Sequence, residues 1–119
     1  MLAVDPKRAG RLFSVKNGFV LVSPDRGVTW RRVGKLGGWV HALRMGLHVA
    51  DVLYAATDDG LWWSRNAGAT WQAVPAGLAP IGRNVLWDIV VDPFRPLYLY
   101  GLPAGGGIYE IDLRPSGAP

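Results

Sequence analysis

Apolar, aromatic and β-branched residues run along this chain in short stretches, each broken by Gly, Asp, Asn or Pro. In the middle of the chain Val40 to Met45, Val52 to Thr57, Leu61 to Ser64 and Thr70 to Val74 read as strands, with Asp58-Asp59-Gly60 and Asn66-Ala67-Gly68 as turns. No segment sustains a 3.6-residue apolar period with caps. With one Glu and three Lys, strong helix formers are scarce. The expected fold class is all-β.

The pattern repeats. Ser23-Pro24-Asp25-Arg26-Gly27-Val28-Thr29-Trp30 returns 41 residues later as Ser64-Arg65-Asn66-Ala67-Gly68-Ala69-Thr70-Trp71. Leu12-Phe13 precedes Leu53-Tyr54 by the same 41 residues, and Gly18 to Val22 and Gly60 to Trp63 each lead into their copy of the motif. A third unit follows: Val90-Val91-Asp92-Pro93 copies Ala3-Val4-Asp5-Pro6, and Leu97 to Tyr100 and Gly107 to Ile111 copy the next two strands, without the motif. A period near 40 is the signature of stacked four-stranded units.

The motif's residue types fit a tight reversal between a third and a fourth strand. A Ser hydroxyl and an Asp or Asn oxygen accept bonds from turn N–H groups, and Gly supplies a positive φ. Thr is then expected to open the next strand and Trp to bury, leaving Arg26 and Arg65 exposed at the turn tips. Because Asp25 and Asn66 are both competent acceptors, the exchange keeps the turn and removes a charge, which argues for a structural role.

These residues resemble the Asp-box, or BNR-repeat, β-propellers, whose members include sialidases, sortilin-type receptors, some xyloglucan hydrolases and photosystem-assembly factors. Ser23, Asp25, Gly27, Thr29 and Trp30 match the box completely; Ser64, Asn66, Gly68, Thr70 and Trp71 match it with Asn at the acidic position. The resemblance runs from Leu2 to about Leu113. It implies a partial propeller of about three blades, four-stranded antiparallel sheets, the third lacking its box and last strand. One domain over 1–113 is expected, with blade 1 about 2–36, blade 2 about 39–78 and blade 3 about 85–113, then a flexible tail over 114–119. In that family the box lies at the outer rim, away from the central channel, and the same blades serve enzymes, receptors and assembly factors.

Length limits the possibilities, since propellers close with about 4–8 blades. Just under three units must be the end of a longer ring, a module that closes by self-association, or a small open stack. Half of the 119 residues are apolar and 18% are charged, as in a folded domain. Met1 to Gly10 carries Asp5, Lys7 and Arg8 and no apolar core, so it is no signal peptide, and no run approaches a membrane span. The default compartment is the cytoplasm, or export if the chain is a piece of a longer precursor.

The net charge of +4 raises nucleic acid as a partner. The basic residues read as scattered, with Lys7-Arg8 and Arg31-Arg32 the adjacent pairs, so solvated blade surface is the better reading. Trp30 and Trp71 are expected between neighbouring sheets. Trp62 and Trp63, adjacent in a strand, can both be covered only if both faces of their sheet are packed.

Trp39, His41, Arg44, Arg83, Trp87 and Asp88 lie in or just before the first strands of units two and three, which in the family line the central channel. They form a candidate ligand face. The plainer alternative has Trp39 and Trp87 covering the end of the core while His41 and Asp88 bond locally. His41 and His48 have no carboxylate at ligand spacing, so no metal is expected, and no cofactor fingerprint occurs.

A glycosidase needs two carboxyl groups or a Tyr-Glu pair. Glu110 is the one glutamate, Tyr109 points to the other side of its strand, and Asp5 and Asp92 precede Pro at repeated turns where local capping is expected. The expected function is therefore a non-catalytic module or fragment presenting a binding or assembly surface to a protein or glycan. The alternative is a fragment of a propeller glycoside hydrolase, sialidase-like or xyloglucanase-like, with its catalytic residues in other blades. Leu2, Val4, Phe13 and Val20 at one end of the stack, and Tyr98, Tyr100, Ile108 and Ile111 at the other, are expected to lack cover, favouring self-association or further blades.

Overall fold

Period-two alternation within each run, broken by turns that need positive φ, produces a chain built from antiparallel strands. The computed structural model describes residues 1–74 and 84–114. Eleven strands are present among them: β1 Leu2–Val4, β2 Leu12–Lys16, β3 Phe19–Ser23, β4 Arg31–Lys35, β5 Val40–Met45, β6 Leu53–Thr57, β7 Gly60–Ser64, β8 Gln72–Ala73, β9 Leu86–Val91, β10 Tyr98–Pro103 and β11 Tyr109–Asp112. They form three meanders, β1-β2-β3-β4, β5-β6-β7-β8 and β9-β10-β11, each strand pairing antiparallel with its neighbour. The fold is a partial β-propeller of three blades, the third with three strands among the described residues.

The repeat is visible in single hydrogen bonds. Asp5 N–H donates to Arg11 O at 3.0 Å, Gly46 N–H to Val52 O at 2.7 Å and Asp92 N–H to Tyr98 O at 3.0 Å, closing the same loop after the first strand of each blade. Each such loop holds one residue at positive φ: Gly10 at 84°, Asp51 at 65° and Leu97 at 64°.

Two apolar layers hold the stack together. Phe13, Val20, Val22 and Leu36 of blade 1 pack against Leu43, Met45, Leu53 and Ala55 of blade 2. On its other side, blade 2 packs Ala42, Tyr54, Ala56, Leu61 and Val74 against Leu86, Ile89, Leu99, Ile111 and Leu113 of blade 3. Each fully buried Leu or Phe contributes roughly 1.5–3 kcal/mol. Trp62 joins the first layer and Trp63 the second, so adjacent indoles are each covered by a different neighbour.

Several expectations change. The strand expected over Thr70 to Val74 is only Gln72–Ala73, and β4 starts at Arg31 rather than Thr29, because both threonines are still bonded into the preceding turn. Phe13 and Val20 are fully buried against blade 2 rather than uncovered, and Ile111 is buried against it from the other side. Tyr98 and Tyr100 are dressed by polar groups: Arg95 stacks on Tyr98 at 4.0 Å, with Arg114 at 5.0 Å, and Tyr100 Oη donates to Asp92 at 2.9 Å. Arg114, the first residue of the expected tail, pairs with Asp112 at 2.7 Å. Residues 115–119, and 75–78 at the end of blade 2, lie outside the described residues.

Candidate functional site

The repeated turn is the most fully bonded polar feature. Ser23 Oγ accepts from Gly27 N–H at 2.7 Å and donates to Asp25 Oδ1 at 2.8 Å. Asp25 then accepts twice from Thr29, from its N–H at 2.9 Å and its hydroxyl at 2.6 Å. Those Thr29 bonds, the hydroxyl first, hold the Asp25 carboxyl below its ordinary pKa. In the second copy Ser64 Oγ accepts from Gly68 N–H at 2.9 Å, and Asn66 Oδ1 accepts from Thr70 N–H at 3.0 Å. The bond to the threonine hydroxyl is reversed: Asn66 Nδ2 donates to Thr70 Oγ1 at 2.7 Å. A rotating hydroxyl that is both donor and acceptor lets Asp and Asn share one geometry.

Both turns pass through two successive positive-φ residues, Arg26 (63°) and Gly27 (90°), then Ala67 (60°) and Gly68 (87°). Each is tied to the loop after its blade's first strand, Arg26 N–H to Gly10 O at 2.8 Å and Ala67 N–H to Asp51 O at 2.9 Å. Each indole N–H donates back into its turn, Trp30 to Gly27 O at 3.0 Å and Trp71 to Gly68 O at 2.9 Å. Neither indole is buried as expected. Trp71 is half-buried against the layer between blades 1 and 2, while Trp30 is 38% exposed. Arg26 and Arg65 are exposed.

The inner strands gather most of the candidate ligand face. His41 Nε2 lies 2.5 Å from Asp58 Oδ1, and its ring meets Trp87 edge-on at 4.6 Å between centroids. Arg44 Nη2 pairs with Asp88 Oδ1 at 3.1 Å while its Nε donates to Ile89 O at 3.1 Å. Asp88 Oδ1 also accepts from Ile89 N–H at 2.8 Å, so both main-chain groups of Ile89, on the inner edge strand β9, are bonded by side chains. Trp39 is 75% exposed and Trp87 48% exposed, so Trp39 does not cover the core end. Arg83 lies outside the described residues.

Asp58 is the member that sequence reasoning missed. Its signal was in the register: β5 pairs with β6 so that Val40 faces Thr57, which sets the β6–β7 turn beside the start of β5. The arrangement offers two open indoles beside an imidazole–carboxylate pair. Among the described residues the imidazole bonds a carboxylate and meets an indole, neither of them a hydroxyl or thiol that it could activate. It therefore suits hydrogen bonding and stacking to a ligand better than covalent chemistry.

The other carboxylates are held in place. Asp92 is buried and accepts from Phe94 N–H at 2.8 Å, Arg95 Nε at 3.1 Å and the Tyr100 hydroxyl; these bonds, the Phe94 N–H foremost, keep it far below the usual carboxylate range. Asp5 accepts from Lys7 N–H at 2.8 Å and Arg11 Nε at 2.6 Å, and Arg11 reaches across to Asp51 in blade 2 at 2.5 Å. The bond from Arg11 lowers the pKa of Asp51. Glu110 pairs with Arg95 at 3.2 Å. Among the described residues no three His, Asp or Glu side chains converge as metal ligands.

No protein-family model matches the chain, and no curated protein matches it. Among solved structures it resembles an ancestral GH74 enzyme, with 21% sequence identity and a TM-score of 0.73 over 87% of this chain and 13% of that one. At that identity the likeness shows the propeller fold. The chain spans about 13% of the length of the enzyme it matches.

Proposed function

We propose that this chain is a non-catalytic β-propeller module of the Asp-box kind that presents a binding or assembly surface. The observation that supports this reading is the state of eight of its nine acids: Asp5, Asp25 and Asp92 brace turns, and Asp51, Asp58, Asp88, Glu110 and Asp112 each pair with a cation or imidazole. A glycosidase holds a protonated acid and a second carboxylate on opposite sides of the scissile bond. Asp25, Asp51, Asp92 and Asp112, held below the ordinary carboxylate range by their hydrogen-bond donors, make poor acids. The surface offered to a glycan or protein ligand is the inner-strand end, with Trp39 and Trp87 as stacking platforms and His41, Arg44 and Asp88 as polar rim.

The test is incubation of the purified chain with β-glucans, xyloglucan and sialylated glycans, reading reducing-end release and tryptophan fluorescence. No turnover is expected, with any fluorescence change lost in Trp39→Ala. Turnover that disappears in Asp58→Asn or Asp88→Asn would overturn the reading.

A second reading, part of a propeller glycoside hydrolase, draws on the likeness to the GH74 enzyme. The coding sequence upstream of Met1 separates the two: further in-frame repeats would favour the hydrolase.

A further inference from the structure

We propose that the inner-strand end of blades 2 and 3 binds a basic side chain, lysine or arginine, of a partner protein. Asp58 supplies the carboxylate, Trp87 and Trp39 the stacking surfaces, and His41 is a positioning residue. This rests on the reading of that end as a binding surface and names what the surface takes.

The first argument is the backbone. In blade 2 Val40 pairs with Thr57 and Ala42 with Ala56, so His41 is an extra residue in β5. In blade 3 Leu86 pairs with Pro103 and Asp88 with Leu102, so Trp87 is an extra residue in β9. Both bulges have one frame: Asp58 N–H donates to Trp39 O at 3.1 Å beside the first, and Ala104 N–H to Val85 O at 3.0 Å beside the second. A bulge re-aims the side chain it carries. Strict alternation would turn His41 and Ala42 to opposite faces, yet Ala42 packs in the layer shared with blade 3 and His41 meets Trp87 of that same blade. Two successive blades thus use the same irregularity to bring an imidazole and an indole together at the end of their inner strands.

The second argument is charge. Of the eight acids placed above, Asp58 alone is held by neither a main-chain N–H nor a guanidinium. Its Oδ1 takes the His41 bond, which leaves Oδ2 open among the described residues, on a side chain 42% exposed. The cations near it are engaged elsewhere. Arg44 is spent on Asp88 and on the carbonyls of Leu43 and Ile89, and Lys35, in the cleft beside Trp39, lies over Phe19 at 5.8 Å.

An open carboxylate oxygen beside exposed indoles is complementary to an ammonium or guanidinium group, which donates to the oxygen while its stem lies on a ring. His41 fixes both halves of that arrangement, bonding Asp58 on one side and meeting Trp87 edge-on with the other. The openness of the site selects the source of the cation. Pockets for free small molecules bury about 70–90% of the ligand, whereas Trp39 and Trp87 lie exposed here. A side chain carried on a larger surface suits such a site, because the rest of the partner adds contacts around it.

The test follows tryptophan fluorescence while the chain is titrated with a capped glycine pentapeptide carrying one central lysine. A saturable change is expected, half complete at about 1–10 mM. The same peptide with its lysine acetylated keeps the stem and loses the charge, and should bind at least about tenfold more weakly. Asp58→Asn and Trp87→Ala should each weaken the lysyl peptide by about tenfold or more, with melting midpoints near wild type. His41→Ala should weaken it less, and His41→Gln, which can still donate to Asp58, should recover part of that loss. Equal binding of the acetylated peptide, or full binding by Asp58→Asn, would overturn the proposal. The acetylation arm uses the wild-type chain, so it decides even where a variant unfolds. Methylammonium bound more tightly than the lysyl peptide would overturn the assignment to a partner's side chain. A response to cellotetraose and to neither peptide would overturn this inference and leave the binding-surface reading standing. Glycan turnover, by contrast, would end the non-catalytic reading and leave the charge dependence of peptide binding unchanged.

Discussion

The two copies of the Ser-x-Asp/Asn-x-Gly-x-Thr-Trp turn make nearly the same internal bonds and sit in different surroundings. Both Ser hydroxyls accept from the Gly N–H, both acids or amides accept from the Thr N–H, and both indoles donate to the Gly carbonyl. Only the second is docked: Val20 Cγ1 and Val33 Cγ2 of blade 1 come within 3.0 Å and 3.5 Å of where a Gly68 side chain would begin. At Gly27 the corresponding space meets Leu12 and its own Trp30, at 3.7 Å. The turn is thus a self-contained unit, and docking against a neighbour is added to it. Substitutions that touch docking should separate the copies; those that touch internal bonds should treat them alike.

The largest effect is expected at Gly34, which lies beneath the docked turn. A Cβ there would overlap the carbonyl oxygens of Gly68 and Ala69, both main-chain atoms that cannot swing away. Gly34→Ala should therefore cost about 3 kcal/mol or more, the upper end for overpacking, and should loosen blade 1 from blade 2. Denaturant melts would show a lower midpoint or two transitions. A midpoint within error of wild type would mean that the turn is not seated on β4.

Next come the indoles. Trp71→Ala removes a half-buried ring from the layer between blades and should cost about 2–3 kcal/mol, below the range for full core truncations. Trp30→Ala loses the equivalent bond and little packing, and should cost about 1 kcal/mol. Equal losses would show that the indole acts through its N–H bond alone.

Below Trp71 comes the glycine pair. Gly27→Ala and Gly68→Ala both force a side chain into positive φ, about 1–2 kcal/mol each. Gly68→Ala should add a further penalty from its contact with Val20, and Val20→Ala should relieve that extra part in a double-mutant cycle.

The legible part of this molecule was what repeats. Strand number, turn positions and the packing of Trp62 and Trp63 on opposite sides followed from alternation, and the turn's acceptors followed from residue type. What was missed depends on neighbours. Trp30 and Trp71 are the same letter in the same motif, yet among the described residues Trp71 packs against a neighbouring blade and Trp30 is the more exposed, and no local rule distinguishes them. Phe13 and Val20 face blade 2 instead of lacking cover, because alternation tells two faces apart without saying which one the next blade takes. Asp58 escaped because its partner His41 is 17 residues away, joined through a register rather than a motif. The polar dressing of Tyr98 and Tyr100 by Arg95 and Arg114 likewise brings together side chains from loop and strand ends.

The smallest effect should come from exchanging the acid itself. Asp25→Asn is expected to leave the midpoint near wild type, with the introduced amide nitrogen donating to the Thr29 hydroxyl as Asn66 does to Thr70. Asn66→Asp should be equally mild, the hydroxyl turning to donate. Acid titration makes the comparison sharper. Because the Thr29 and Ser23 bonds favour the ionised carboxylate, Asp25 has a lower pKa folded than unfolded. Its contribution to stability is therefore complete above the unfolded carboxylate value, about pH 4, and is lost as pH falls through the lower folded value. Asp25→Asn should remove that share of the acid dependence, whereas Asn66→Asp should add a similar one to blade 2. Midpoints measured from about pH 7 down to about pH 2 would check both. If Asp25→Asn instead lowered stability at neutral pH as much as Asp25→Ala, the charge would be required in blade 1, and the two turns would differ in chemistry as well as in surroundings.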